Sequence, residues 1–330
     1  MLAMTIDDGR LVPTDVPRPE PRPGQVLLDV VAAGVNRPDL LQVAGGYPPP
    51  PGAPVWPGLE VSGHVAAVGD GVTSLRTGDA VVALLDGGGY AEQAVVAAGQ
   101  VLPAPDGVSL VDAAGLPETV CTVWSMMVRA ARLRAGETVL VHGGSGGIGT
   151  TAILVAKALG ARVITTAGGP DRTARCRDLG ADVAIDHRPG DVVERVEDAS
   201  DGRGVDVILD LLGGGALADN VRLLATDGRL AVIGTQAGSR GELDVWQLMK
   251  RRASVHAATL RARPPAEKAA IVADVGTHVW PMVAAGLVRP VVDRVLPLRE
   301  AAQAHALLDA GAIFGKVLLA TGSGSAGGAA

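Results

Sequence analysis

Between Val139 and Gly149 the chain reads Val-Leu-Val-His-Gly-Gly-Ser-Gly-Gly-Ile-Gly. The first residues suit a buried parallel strand, and Thr150 to Leu159 suit a helix that is apolar on most faces. Gly144, Gly146 and Gly149 stand at G-x-G-x-x-G spacing within Gly144-Ser145-Gly146-Gly147-Ile148-Gly149. At a strand-to-helix junction such a turn presents backbone N–H groups and the positive end of a helix to an anion. The chemistry is the binding of a dinucleotide pyrophosphate. In that reading Gly144 permits the tight turn, Gly146 lets the backbone approach the pyrophosphate, and Gly149 lets the helix pack on the sheet. The alternative is a glycine-rich turn without a ligand.

The next strand decides the dinucleotide. An acid at its end binds the ribose 2′-hydroxyl of NAD. Here the strand ends Thr165-Thr166-Ala167-Gly168-Gly169, without an acid, and Arg172 and Arg175 follow in the next helix. A guanidinium there suits a 2′-phosphate, so NADPH is expected over NADH. Asp171 counts mildly against this, unless it marks the helix start. Two solvated helix arginines are the alternative reading.

A turn near residue 145 requires a domain before it, and 330 residues suit two domains. Residues 1 to about 115 read as mostly β, with apolar runs at 25–32, 60–68, 80–84 and 90–96 separated by Gly, Pro and Asp. Pro48-Pro49-Pro50-Pro51-Gly52 reads as a stiff polyproline loop. From about 118, strands at 138–142, 162–166, 182–185, 205–211, 229–234 and 253–257 alternate with helices at 146–159, 171–179, 190–198, 214–225 and 243–250. Six strands with helical returns make a doubly wound parallel sheet. A long helix at 265–286, a strand at 291–295, a helix at 299–310 and a strand at 315–319 are expected to rejoin the first domain. The expected boundaries are 1–117, 118–258 and 259–320, with a disordered tail at 321–330.

A net charge of −6 argues against nucleic acid or an anionic membrane as partner, and no run of apolar residues is long enough to span a bilayer. Cys121 and Cys176 make neither a disulfide framework nor a thiolate zinc site, and the N-terminus lacks the features of a signal peptide. A reducing cytoplasm is the expected location.

Several segments together carry a resemblance: Asn36-Arg37-Pro38-Asp39-Leu40, Tyr47-Pro48, Gly58-Leu59-Glu60-Val61-Ser62-Gly63-His64, Gly87-Gly88-Gly89, Pro117-Glu118 and Leu260-Arg261-Ala262-Arg263. In their order and spacing the chain resembles the medium-chain dehydrogenase/reductase superfamily over roughly residues 1–320. Within it, the chain is similar to the zeta-crystallin-like quinone oxidoreductases, in the branch of the tumour-suppressor-inducible enzyme. The resemblance implies a GroES-like, mostly-β catalytic domain beside a Rossmann NADPH-binding domain. Where zinc relatives carry a catalytic Cys, a ligand His and a second Cys, this chain has Asn36, Leu59 and Glu118. No metal is therefore expected. Cys121 reads as a small buried residue.

Without a metal, hydrogen bonds must polarise a substrate carbonyl. Asn36 and Tyr47 are the candidates, and the resemblance places the matching residues in the active site. The alternatives are a helix cap for Asn36 and a loop anchor on the proline run for Tyr47. Asp39 reads as structural and Glu60 as a supporting residue. His64 and His142 read as core or backbone-paired histidines. The resemblance implies further cofactor contacts at Thr122, Gly213, Gly234, Phe314, Gly315 and Lys316. Near the 2′-phosphate, relatives carry Ser, Lys and Tyr where this chain has Gly169, Arg172 and His187. The edge strand at 253–257 is expected to pair two copies into a homodimer, as in homologous enzymes.

These residues point to a zinc-independent, NADPH-dependent reductase of quinones or related conjugated carbonyls. An enoyl-thioester or enone reductase is the alternative, and a non-catalytic NADPH-binding protein is a further one.

Overall fold

The computed structural model describes residues 1–322; the rest of the tail at 321–330 lies outside the described residues. The chain divides into two compact units, Met1–Thr119 with the chain from Arg261 onward, and Val120–Leu260.

The first unit opens with a hairpin, β1 (Leu2–Asp7) and β2 (Arg10–Asp15), in register from Leu2↔Asp15 to Asp7↔Arg10. Asp8 and Gly9 turn it with φ of 44° and 70°, the pair of positive values that a two-residue hairpin turn needs. Then come β3 (Gln25–Gly34), α1 (Arg37–Val43), β4 (Glu60–Val68), β5 (Ala80–Leu84), β6 (Gln93–Ala97) and β7 (Val101–Pro103). The expected strand at 90–96 begins later, at Gln93; Tyr90 and Ala91, both fully buried, meet β1 instead, through the Met4 N–H on Tyr90 O and an Ala3–Ala91 bridge. Helices α2 (Leu110–Ala113) and α3 (Pro117–Val123) follow, and a π-helical stretch, Trp124–Ala130, continues α3.

The second unit carries β8 (Thr138–Val141), α4 (Gly147–Ala158), β9 (Arg162–Ala167), α5 (Pro170–Asp178), β10 (Val183–Asp186), α6 (Val192–Ala199), β11 (Val205–Asp210), α7 (Leu217–Leu223), β12 (Leu224–Val232), α8 (Val245–Lys250) and β13 (Ser254–Ala257). All its strand pairs are parallel, in the order β10-β9-β8-β11-β12-β13. This is the doubly wound sheet expected from the sequence, with the order reversing between β8 and β11. Both faces are covered, so β8 is buried at every residue, and Leu140, Ile164, Ile185, Ile208 and Leu230 make one core. The expected helix at 214–225 is a 3₁₀ turn, Gly213–Ala216, running into α7, and it ends at Leu223 because the chain passes at Leu224 directly into β12.

The chain then returns to the first unit. The helix expected at 265–286 is two, α9 (Pro265–His278) and α10 (Trp280–Ala284), which meet at Val279, one residue before Trp280-Pro281. Proline has no N–H for the continuing helical ladder, so it restarts a helix near the N-terminus of the second piece. After β14 (Val292–Pro297), α11 (Ala301–Asp309) and β15 (Lys316–Ala320), the first unit's sheet runs β14-β15-β3-β4-β5-β7, with β6 also on β3. Val26, Leu28, Val61, Val81 and Val317 are fully buried in its core. Among the described residues no helix is long and apolar enough to cross a membrane.

Candidate functional site

The glycine turn lies between β8 and α4, next to the point where the strand order reverses. Its left-handed residue is Gly143, at φ +69°, one position before the glycine expected to make the turn. Gly144 is required for another reason: a Cβ there would stand 2.1 Å from Thr165 Oγ1 of the neighbouring strand. A Cβ on Gly149 would stand 2.2 Å from the Gly143 carbonyl, so this glycine lets α4 close onto the turn. Gly146, the N-cap of α4, differs. Its backbone is extended (φ −86°, ψ 173°), and a Cβ would meet nothing nearer than 3.7 Å. Protein packing therefore leaves space beside the helix N-terminus, where the backbone N–H groups of the first turn have no helical partner. Those features fit a pyrophosphate. Ser145, Gly147 and Ile148 complete the turn at intermediate exposure.

Around the turn, polar groups fix the backbone. His142 Nε2 lies 2.8 Å from Asn220 Oδ1, and burial pushes its pKa below the ordinary histidine value. It is an anchored core histidine. Asp210 accepts from the N–H groups of Leu212 and Gly213 at 2.9 Å each. Gly213 and Gly234 come together after β11 and β12: a Cβ on Gly213 would stand 2.8 Å from the Gly234 carbonyl. Thr122 is half-buried in α3.

Gly168 and Gly169 leave β9, and Gly169 caps α5 at φ +94°. Arg172 lies half-buried in the first turn of α5. His187 reaches Gly168 from the end of β10, with its Nε2 3.1 Å from where a Gly168 Cβ would be. Arg188 lies there too, and the sequence reading did not single it out. The available signal was a second basic residue directly after His187.

In the first unit the structure brings Asn36, Glu60 and Lys316 together. Lys316 Nζ donates to Val35 O at 2.8 Å and Asn36 Oδ1 at 2.7 Å, and pairs with Glu60 Oε1 at 2.6 Å. Asn36 Nδ2 donates to Glu60 Oε1 at 2.9 Å, and Glu60 Oε2 accepts the Glu118 N–H. Both ends of the Asn36 amide are thus engaged within the protein, and the Lys316 ammonium spends its donors there. Asn36 also begins α1, where its N–H donates to Asp39 Oδ2 at 2.9 Å. The neighbouring Phe314 is buried, its N–H on Asp293. Gly315, at φ +92°, lies so close to Val291 that a Cβ would stand 2.1 Å from its carbonyl.

Asp39 is fully buried and also accepts from Gly58 N at 2.9 Å and Tyr90 OH at 3.2 Å. Burial raises its carboxyl to about 6, against those donors and the Lys316 charge, which pull it down. Tyr90 OH also meets His305 Nε2 at 3.1 Å, and burial lowers His305 to about 4.

Tyr47 follows α1 and is half-buried. The Arg261 guanidinium carbon lies 5.3 Å from its ring centroid, and Arg261 Nε donates to Asp86 O at 2.7 Å. Lys268 pairs with Asp86 from α9. These links tie the Tyr47 and Gly87 loops to the returning chain.

Among the described residues no group of three or more His, Cys, Asp and Glu side chains could hold a metal ion. Leu59 is buried in the core, and Asn36 is engaged as above, so these positions do not fit a zinc ion.

Residues 22–106 match the family Alcohol dehydrogenase GroES-like domain, and residues 179–319 match Zinc-binding dehydrogenase. The rat (Rattus norvegicus) Quinone oxidoreductase is 32% identical over 310 residues, covering 93% of this chain and 92% of that protein. Among solved structures, mycobacterial Rv1454c complexed with NADPH superposes with a TM-score of 0.84 at 29% identity, covering 97% of this chain and all of that one. An NAD-dependent alcohol dehydrogenase superposes equally well, with a TM-score of 0.84 at 31% identity over the same shares. With a full-length relative at this identity and both sheets in place, the chain belongs to the quinone oxidoreductase family of the medium-chain dehydrogenase/reductase superfamily, whose members are oxidoreductase enzymes.

Proposed function

We propose that the protein is an NADPH-dependent quinone oxidoreductase that needs no metal. The observation that carries this reading is the glycine turn: Gly144 and Gly149 are demanded by packing, whereas a Cβ on Gly146 would make only an ordinary contact 3.7 Å from the Gly143 carbonyl, so protein packing does not account for that glycine and a pyrophosphate would. The relative's activity supports the acceptor class, and the absence of an acid after β9 supports the cofactor. When bound, NADPH supplies a hydride to the acceptor. With a proton from water, a quinone becomes a hydroquinone and the two-electron balance closes.

In this reading the N–H groups at the start of α4 hold the pyrophosphate, and Gly168, Gly169 and His187 surround the adenosine phosphate. Thr122, Gly213 and Gly234 complete the cofactor contacts. Tyr47 orients the acceptor carbonyl from a loop that Arg261 and four prolines make stiff. Asn36, held by Lys316 and Glu60, positions the start of α1. Phe314, Gly315 and Lys316 hold that arrangement from β15 and the residues before it. Orientation and exclusion of water then supply most of the rate.

The second unit offers a face for a second copy. Edge strand β13 carries Val255, 37% exposed, and α8 exposes Val245, Trp246 and Met249 at 57–67%. A homodimer through this edge would cover them. The two buried free cysteines suit a reducing cytoplasm.

The test is absorbance at the NADPH band, with both cofactors against quinones, enones and crotonyl-CoA. Oxidation of NADPH by benzoquinone or phenanthrenequinone is expected. Turnover with crotonyl-CoA but with neither quinone would replace this reading with enoyl reduction. Tight NADPH binding without turnover on any acceptor would make the protein a cofactor binder.

A further inference from the structure

One neighbour of this chain is an NAD-dependent enzyme and another is complexed with NADPH at the same TM-score, so overall fold does not set the dinucleotide and this chain's own residues must. Two loops meet where β9 and β10 end. Asp186 Oδ1 accepts the N–H groups of Gly169 at 2.8 Å and Arg188 at 3.1 Å, and so joins them. Those two N–H groups, the Gly169 one foremost, hold its carboxyl below the usual range. A carboxylate beside this position repels a phosphate.

Arg188 answers it. Its Nε and Nη2 stand 3.2 Å and 3.4 Å from the place of a Gly168 Cβ, and its Nη1 stands 3.0 Å from that of a Gly169 Cβ. The guanidinium therefore fills the volume that side chains on both glycines would take. Arg188 is exposed, and among the described residues its side chain donates no hydrogen bond within the protein. His187 Nε2 lies over Gly168 beside it. Gly169, at φ +94°, sits in a backbone conformation that L side chains rarely adopt. A serine would be strained there, and the planar fork of Arg188 occupies the space instead.

Resting on the NADPH reading above, we propose that Arg188 is the principal residue for the cofactor's 2′-phosphate and sets the preference for NADPH over NADH. The fork offers parallel N–H donors to a phosphate monoester and cancels the Asp186 charge. Arg172, to which the sequence pointed, is then an auxiliary cation.

The experiment is calorimetric binding of 2′,5′-ADP and of 5′-ADP to the full chain and to Arg188→Ala, with thermal melts as the folding control. Arg188 is exposed, so the melting temperature should be unchanged. The wild type is expected to bind 2′,5′-ADP at least tenfold more tightly than 5′-ADP. Arg188→Ala should weaken 2′,5′-ADP about tenfold to a hundredfold, the scale of a lost charge-assisted bond, and change 5′-ADP less than about twofold. A wild-type preference that survives in Arg188→Ala overturns the role of Arg188 and leaves the NADPH reading standing. Equal weakening of both nucleotides also overturns it. A wild type that binds both equally overturns the NADPH reading itself, and this assignment with it.

Discussion

Lys316 Nζ lies 2.6 Å from Glu60 Oε1, and both side chains are almost wholly buried. The pair joins β15 to β4, and Asn36 bonds to both members. A buried ion pair is costly to form and more costly to break, because the remaining charge has no solvent. Lys316→Met is expected to lower stability by about 3–5 kcal/mol in urea unfolding. Adding Glu60→Gln should cost less than the sum of the two single changes. Strict additivity would mean that the two charges do not act as a pair.

Asp39 gives stability an unusual pH dependence. Its folded value of about 6 lies above the ordinary 3.8, with burial as the main cause. Between these values the folded state holds a proton that the unfolded state has released, so this group's contribution is present below pH ~4 and lost as pH rises through ~6. The groups around it are Lys316, Tyr90 and His305. His305 is lowered to about 4, so its slope runs the other way and it destabilises as pH falls below ~6.5. Comparison with Asp39→Asn isolates the carboxyl. The wild-type advantage over that variant should shrink by about 2–3 kcal/mol between pH 4 and 7. An advantage that stays constant or grows would show that Asp39 is ionised throughout.

The glycines of the turn should separate fold from binding. Gly149→Ala places a Cβ 2.2 Å from the Gly143 carbonyl, and a loss of about 1–3 kcal/mol is expected without any ligand. Gly146→Ala meets no such contact, so unfolding should move by at most about 1 kcal/mol, the scale of an N-cap change. NADPH affinity, followed by nucleotide fluorescence, should nevertheless fall at least tenfold. Unchanged affinity in Gly146→Ala would remove the pyrophosphate from this turn.

Trp246, two-thirds exposed on α8, tests the assembly. Sedimentation velocity of the wild type should show a dimer, and Trp246→Glu should shift it to a monomer at micromolar concentration without lowering the melting temperature of the monomer. A wild type that sediments as a monomer would leave β13 and α8 without a second copy.

Much of the second unit was legible from residue order alone. Parallel strands buried on both faces must be apolar runs, and their returns must be helices, so β8 to β13 fall within a few residues of where the pattern places them. The glycine turn was legible too, because strand, turn and helix are contiguous in sequence. The hairpin at 2–15 carries its own Asp8-Gly9 signal, a local cue that the reading passed over. The break between α9 and α10 was equally marked by Pro281.

Residue order limited the open chemistries to those of a dinucleotide turn, an acid-free strand after it, and zinc-ligand positions filled by Asn36, Leu59 and Glu118. What individual side chains do with their donors and acceptors was settled by long-range packing. Asn36 faces Lys316 across 280 residues of chain, and Arg188 settles over glycines from another strand. Tyr47 stacks with an arginine that lies more than 200 residues further on, after the whole second unit. Such pairings leave no periodicity in a sequence, because packing of the cores sets them and local backbone preference does not. The residue types set what could be bound, and burial and distance set which of them remain able to bind it.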